Sequence, residues 1–467
     1  MKRFLFVLGS NWQLSLAELD NVLKYSQFKG RIIDYSANIA IVEFESLHNE
    51  LYYVNSLMEL QYILGGTQKI GEIYDFINIQ TINEAFPWRV DNFNKVSSVR
   101  EKITDVLSQD LSLIFRRIKN ANLFFAVSIY PNLFDEEYYS QILLKHFLPF
   151  LNKEISEILR KKYAKKVSYY KYPEEYIESG NLNPIFPHHL ITYGLLNEDR
   201  AEIIFGFTEE GVYIARTFTT DDPNFKKKID EDRPFKEFKS SISPKLAIIM
   251  LNFLNLFEKR EKQAILDPFV GNATILMFAI VEDFQVYGSD IEEEKVLNSI
   301  RNINWLFNEL EEKVPLSMNN RLKVSSIETL SSQFVNNLFD GIVTEPELGP
   351  FYTKQPYYSE VTELFEKSLK PLYEHTFKES YKLLKPKKRL SLIAPIISTV
   401  DGGDVQMNIE LIAKSNRFQL IPLIDSERII NKSNIKLQLK KEQVRALIDA
   451  KKDQIIKRKF YVFEKID

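Results

Sequence analysis

The sequence predicts an α/β protein: a C-terminal half built on a mostly parallel sheet with helices on both faces, preceded by two α+β units. Three observations predict it. Beyond Pro244, short apolar runs alternate with helical stretches, the order that produces parallel strands joined by crossover helices. Before it, strand-patterned and helix-patterned runs follow one another less regularly, as they do in α+β units. The chain has 467 residues, whereas single hydrophobic cores stop growing beyond about 250–300 residues, so more than one domain is expected.

Taken in order, Phe4 to Leu8 reads as a strand, Ser15 to Tyr25 as a helix, Gly30 to Tyr35 and Ile39 to Glu43 as strands, and Leu51 to Leu64 as a helix. These make a first α+β unit over residues 1–86. A second, over 87–220, holds the apolar strand Leu123 to Tyr130, an amphipathic helix from Tyr138 to about Tyr163, and β-rich pieces at Ala201 to Phe207 and Gly211 to Thr217. Residues 221–243 are polar, charged and punctuated by proline, and read as a linker. From 244 to 467 seven strands are expected: Ala264 to Leu266, Gln285 to Tyr287, Leu322 to Val324, Gly341 to Thr344, Arg389 to Ala394, Phe418 to Ile421 and Phe460 to Phe463. The last two have no long periodic helix between them, as in an antiparallel end hairpin.

Composition excludes several chemistries. Without a single cysteine, the chain has no disulfide, thiolate nucleophile or Cys-ligated zinc, and its histidines show no metal-ligand spacing. The pair His188-His189 reads as a loop feature. No apolar run approaches the roughly 20 residues of a membrane span, so the expected location is the cytoplasm. A net charge of −3 means that any nucleic-acid contact must come from local basic patches.

The sharpest segment runs from Ile265 to Leu276: an apolar strand, Asp267 at its tip, a tight turn, then a helix. Open α/β sheets bind ligands outside the carboxyl ends of their strands. One glycine in this turn, Gly271, fits neither a dinucleotide nor a P-loop phosphate cradle, and Asp267 suits a cationic or zwitterionic ligand. The next strand ends in Ser289-Asp290-Ile291, whose carboxylate can accept both hydroxyls of a ribose. For either aspartate the alternative is a helix N-cap.

Asp267-Pro268-Phe269-Val270-Gly271-Asn272-Ala273-Thr274 resembles the DPFxGxGT motif of class I methyltransferases, in the version of THUMP-domain RNA guanine-N2 methyltransferases. Asp232-Arg233-Pro234 with Ser243-Pro244-Lys245-Leu246-Ala247 resembles the segment before that motif, Tyr287 to Ile291 with Asn302 and Asn304 the element after it, and Tyr381 to Pro395 a later strand. The resemblance covers residues 219 to 467 well and the N-terminal half more loosely. It implies a class I, Rossmann-like sheet of seven strands behind ferredoxin-like and THUMP-like α+β domains. It also implies S-adenosylmethionine as cofactor, with Asp267, Phe269 and Gly271 along its methionine and sugar end and Asp290 on the ribose. Asn272, Thr274, Ile291 and Thr344 join these contacts. The third strand lacks the acid that usually meets the adenine amine, and Ser326 is its candidate substitute.

The fourth strand ends Thr344-Glu345-Pro346-Glu347-Leu348, which resembles the Asp/Asn-Pro-Pro-Tyr/Phe tip of amine-methylating members. An exocyclic amine conjugated to its ring attacks a sulfonium methyl poorly unless acceptors hold its N–H groups. A carboxylate and a proline carbonyl can do this once the base is flipped into the pocket. Glu345 and Pro346 are therefore the candidate catalytic residues. Leu348 replaces the stacking aromatic, a role that Phe351 or Tyr352 can take. The alternative is a strand-end turn in a catalytically inactive domain.

For RNA, Arg160-Lys161-Lys162-Tyr163-Ala164-Lys165-Lys166 continues to Tyr172 and interleaves cations with tyrosines. Phosphates recruit the cations and unpaired bases the rings. A solvated helix end is the plain alternative. Gly180 to Leu190, then Ala201 to Phe218, is weakly similar to the THUMP domain, which implies tRNA as partner. The leading expectation is methylation of a guanine N2 amine in tRNA. Its rivals are another RNA or DNA amine, or an inactive scaffold that binds cofactor and RNA. A small activating partner subunit is left open.

Overall fold

Two sheets organise the chain in the computed structural model, which describes residues 2–44, 50–89, 93–119, 121–133, 139–172, 185–236, 242–315, 318–425, 427–440, 444–451 and 453–467. The first sheet has eight strands: β1 (Lys2–Leu8), β2 (Gly30–Tyr35), β3 (Ile39–Phe44), β4 (Thr67–Asn78), β5 (Ala121–Tyr130), β6 (Ala164–Tyr169), β7 (Arg200–Phe207) and β8 (Gly211–Thr220). Their order is β2-β3-β1-β4-β8-β7-β5-β6. Two of these, β4 and β6, have no counterpart among the expected strands. β4 pairs antiparallel with β1 on one side and with β8 on the other, so residues 1–86 and 87–220 contribute to one continuous sheet.

β4 was hidden because its alternation is broken by Lys69, Glu72 and Asp75. Lys69 nevertheless lies fully buried, as does Glu202 on β7. Lys69 Nζ donates to Glu202 Oε1 at 2.6 Å, to the Tyr130 hydroxyl at 2.9 Å and to the Ile185 carbonyl at 2.6 Å. Ser128 and Thr217 donate to the same carboxylate. Burial lowers the Lys69 pKa, which the Glu202 charge opposes. A buried pair survives in a low dielectric only when its remaining polar sites are satisfied in this way.

A helix absent from the expected elements, Phe93–Ile114, covers this sheet with Val99, Ile103, Leu107, Leu111 and Ile114. The long amphipathic stretch after Tyr138 is a π-helix, Tyr139–Phe147, followed by an α-helix, Leu148–Lys162. The supposed linker also carries structure: Pro223–Glu231 is a helix, with Asp222 accepting the Asn224 amide and Pro223 in the first turn, where its missing N–H costs nothing. His188-His189 belongs to the short helix Pro187–Thr192 and not to a loop, with His189 Nδ1 accepting the Phe186 amide at 3.0 Å. The segment Gly180 to Asn183 lies outside the described residues.

The second sheet holds β9 (Ala264–Asp267), β10 (Gln285–Asp290), β11 (Leu322–Val324), β12 (Phe339–Thr344), β13 (Leu384–Thr399), β14 (Gly403–Gln406), β15 (Phe418–Ile421), β16 (Leu447–Asp449) and β17 (Ile456–Lys465). All seven expected strands are present, in the order β11-β10-β9-β12-β13-β17-β15, with β14 added to β13 and β16 to β17. β9 to β13 run parallel, and β17 lies antiparallel to β13 and β15.

One apolar core joins the two halves: Phe4, Leu16 and Leu60 share it with Leu246, Ile249 and Phe253. At this junction the buried Glu18 carboxylate accepts the Gly65 and Gly66 amides at 2.8 and 2.7 Å and Asn252 Nδ2 at 2.7 Å. A Cβ on Gly66 would stand 2.8 Å from Ser15 Cα, so only glycine lets the turn approach that closely. The chain between β15 and β16 then crosses to the N-terminal half. Lys432 pairs with buried Asp34, Arg428 Nε with Asp20 at 3.2 Å, and Glu209 accepts the Ser433 and Asn434 amides. That crossing explains why no periodic helix separates the last strands.

Candidate active site

The carboxyl ends of β9, β10, β11 and β12 lie side by side and bring most of the expected residues together. Asp267 closes β9 and is buried, accepting the Thr344 hydroxyl at 2.8 Å and the Phe269 amide at 3.1 Å. Burial pushes its carboxyl up to about 7, against these two hydrogen bonds and reinforced by the charges of Asp290 and Glu345. Asp290 closes β10. Its Oδ2 accepts the Gly271 amide at 3.0 Å and its Oδ1 the Glu292 amide at 3.1 Å. Asp290 is not the N-cap of the following helix, a position that Glu292 takes, and each of its oxygens keeps a further acceptor site.

The turn between β9 and the helix Thr274–Val281 is held from all sides. Val270 N donates to the Ser289 carbonyl at 2.8 Å, Ser299 Oγ to the Gly271 carbonyl at 2.7 Å and Asn302 Nδ2 to the Asn272 carbonyl at 2.9 Å. Asn302 also exchanges hydrogen bonds with Phe235 of the upstream segment. Gly271 has φ +50°, and a Cβ there would meet nothing within 4 Å, so the turn faces open space. Ala273 occupies the second glycine position of the motif at φ +66°, a left-handed conformation costing about 1–2 kcal/mol for an L residue. Asn272 Oδ1 is buried without a hydrogen-bond partner among the described residues.

Around this turn, Thr274 is buried, Phe269 is half-buried against the core, and Ile291 is 70% exposed beyond Asp290. At the β11 tip, Ser325 N binds the Asp290 carbonyl at 2.9 Å, and Ser326 caps a 3-10 turn by accepting the Glu328 amide at 3.4 Å.

Glu345 follows Thr344 directly, with Pro346 buried behind it. The sequence did not disclose its partner. Arg458 on β17 donates through Nε to Glu345 Oε1 and through Nη2 to Oε2 at 3.4 Å. Burial raises the Glu345 pKa, and the Arg458 charge opposes the rise. Arg458 stands 113 residues away in a lysine-rich run, where no local pattern marks it as the partner of an acid. Leu348 is half-buried against the core that joins the two halves, Tyr352 is half-buried against a separate core on the second sheet, and Phe351 is 68% exposed.

The basic stretch lies on the other sheet. Arg160, Lys161 and Lys162 end a helix, and Lys165 and Lys166 lie on the edge strand β6; all five are exposed. Arg160 lines a groove of about 440 Å³ together with Tyr169, Tyr170, Lys171 and Tyr172. Tyr170 packs edge-on against Tyr172 and Tyr193.

A seven-strand order in which β9 to β13 are followed by an antiparallel β17 inserted before β15 defines the class I, Rossmann-like methyltransferase fold, here behind an N-terminal α+β half. TrmN from Thermus thermophilus has the same fold over the whole length, at a TM-score of 0.50 and 13% identity, covering 99% of this chain and 100% of that one. A possible methylase from Clostridium difficile 630 is 14% identical at a TM-score of 0.48, covering 100% and 98%. No family profile and no curated protein matches the sequence.

Proposed function

We propose that the chain is an S-adenosylmethionine-dependent methyltransferase acting on an exocyclic amine of RNA, with guanine N2 in tRNA as its substrate. The observation that carries this reading is the joining of three strand tips: Asp267 hydrogen-bonded to Thr344, Asp290 bonded to the turn after Asp267, and Glu345 next in line. The open turn at Gly271 and the unpartnered Asn272 oxygen fit a polar ligand lying across the turn. Asp267, Phe269, Gly271, Asn272, Thr274 and Thr344 would hold the amino-acid and sulfonium end, and Asp290, Ile291 and Ser326 the nucleoside. When bound, the cofactor supplies an electrophilic methyl group. Glu345 and the Pro346 carbonyl would accept the N–H groups of the target amine, which would turn its lone pair outward, and Glu345 would take the proton released as the N–C bond forms and the methyl–sulfur bond breaks, with S-adenosylhomocysteine as the leaving group. We assign residues 1–220 to RNA binding.

The raised Asp267 pKa supplies a test of the cofactor site. A cationic ligand favours the carboxylate, so binding lowers that pKa and expels a proton. The free protein is protonated below about pH 7, so affinity should fall as pH drops beneath that value, by up to about tenfold per unit, and level off above it. Calorimetry in buffers of different ionisation enthalpy should register the released proton, and Asp267→Asn should abolish the dependence. Equal affinity at about pH 6 and about pH 8 with no proton release would exclude Asp267 from the site.

The basic stretch is tested by salt. Neutralising Lys161, Lys162, Lys165 and Lys166 together should weaken tRNA binding and flatten its dependence on salt, by about 0.9 in logarithmic slope for each phosphate that no longer meets a cation, with cofactor affinity unchanged. An identical slope in parent and variant would remove this surface from the RNA path.

A further inference from the structure

We infer that Arg458 is a positioning residue for the reaction, holding the Glu345 carboxylate ionised and aimed at the substrate amine; this rests on the function proposed for Glu345. The two residues come from different parts of the sheet. Glu345 leaves the end of β12, while Arg458 lies on β17, opposite Pro395 of β13 on one side and Asp449 of β16 on the other. Both side chains are largely covered, with 12% of Glu345 and 18% of Arg458 exposed.

The guanidinium addresses each carboxylate oxygen with a different nitrogen. Such a planar fork fixes the rotation of the carboxylate as well as its position, which a lysine ammonium cannot do. One acceptor site is used on each oxygen, and a second remains for the N–H groups of a substrate amine.

The surroundings make this cation necessary. Facing Glu345 are the carboxyl groups of Asp449 on β16 and Asp267 on β9, and the Tyr373 phenol on the helix Lys370–Leu383. The phenol stays neutral and the two carboxyl groups are acids; among the described residues Arg458 is the cation that opposes them. A covered carboxylate among acids takes up a proton unless a positive charge adjoins it, and a protonated Glu345 loses most of its power as an acceptor. Asn11 of the N-terminal half holds Asp449 through Nδ2 at 3.0 Å, and the same nitrogen reaches the Ile448 carbonyl. The strand behind Arg458 is thereby fastened to the other half of the chain.

The test compares Arg458→Met, Arg458→Lys, Glu345→Gln and the double variant Arg458→Met/Glu345→Gln in methyl transfer from S-adenosylmethionine to tRNA across pH. Arg458→Met should lower kcat about 10- to 100-fold near neutrality, leave both KM values within about twofold, and move the acid limb of the kcat profile to higher pH by about one unit or more. Arg458→Lys keeps charge without the fork and should fall between parent and Arg458→Met, so the inference stays testable even if the methionine variant does not fold. The double variant should be no slower than Glu345→Gln, because the two residues act as one unit. Parental kcat and an unmoved acid limb in Arg458→Met, with turnover lost in Glu345→Gln, would overturn the role of Arg458 and leave Glu345 standing. Parental turnover in Glu345→Gln would overturn the underlying role of Glu345, and that of Arg458 with it.

Discussion

Glu345→Gln is expected to reduce methyl-transfer turnover by roughly 10- to 1000-fold while binding of tRNA and of S-adenosylmethionine persists. Glutamine preserves the shape and one acceptor oxygen, and that oxygen can still take an N–H from Arg458. The substitution removes the charge that strengthens the hydrogen bond as the amine nitrogen becomes cationic in the transition state. Glu345→Asp is the more searching change. It restores the acid of the motif that the tip resembles but withdraws the oxygens by one methylene, away from the guanidinium that fixes them. Activity should fall here too, since the carboxylate reaches the Arg458 guanidinium at the length of glutamate. Single-turnover measurements at saturating ligands separate this fall from any change in binding. Turnover equal to the parent in both variants would take Glu345 out of the chemistry.

The largest effect on stability is expected from Glu202→Ala, about 3–5 kcal/mol. Among the described residues, the substitution leaves the fully buried Lys69 ammonium with the Tyr130 hydroxyl and the Ile185 carbonyl as partners, and takes the carboxylate away from the hydroxyls of Ser128 and Thr217. The lysine must then sit charged in a low dielectric or give up its proton, and both are costly. Removing both charges with Lys69→Met/Glu202→Leu should recover part of the stability, because no charge is then left buried without its counter-ion, while the Ser128 and Thr217 hydroxyls still lack the carboxylate. Chemical denaturation reads both effects. A change within about 0.5 kcal/mol for Glu202→Ala, the usual scale of surface substitutions, would show that the pair carries no such weight.

That same ion pair marks where the sequence was legible and where it was not. The strands of the second sheet announce themselves as short apolar runs with acids at their tips, since parallel strands covered on both faces must be apolar and their carboxyl ends gather ligand groups. The places of Asp267, Asp290 and Glu345 at the strand ends were readable for that reason. β4 was not, because a charge on it is satisfied across the sheet by a partner remote in sequence: Lys69 meets Glu202. Glu18 looks like the polar side of an amphipathic helix, yet it is buried where that helix meets Pro244–Asn252. Arg458 looks like one more basic residue in a charged terminal run. In each case the meaning of a charge depends on a distant neighbour, which no local pattern records. β6 was obscured differently, since its lysines and tyrosines suggested a binding surface before they suggested a strand.

The central claim is tested most directly by incubating the protein with unmodified tRNA and S-adenosylmethionine labelled in its methyl group, then digesting the RNA and identifying the labelled nucleoside. The proposed function predicts label in N2-methylguanosine, appearing far more slowly with Glu345→Gln and retained in the lysine-neutralised variant at low salt. Label on another base would contradict the substrate assignment, and binding of both ligands with no label in any nucleoside would contradict the enzyme itself and leave a scaffold in its place.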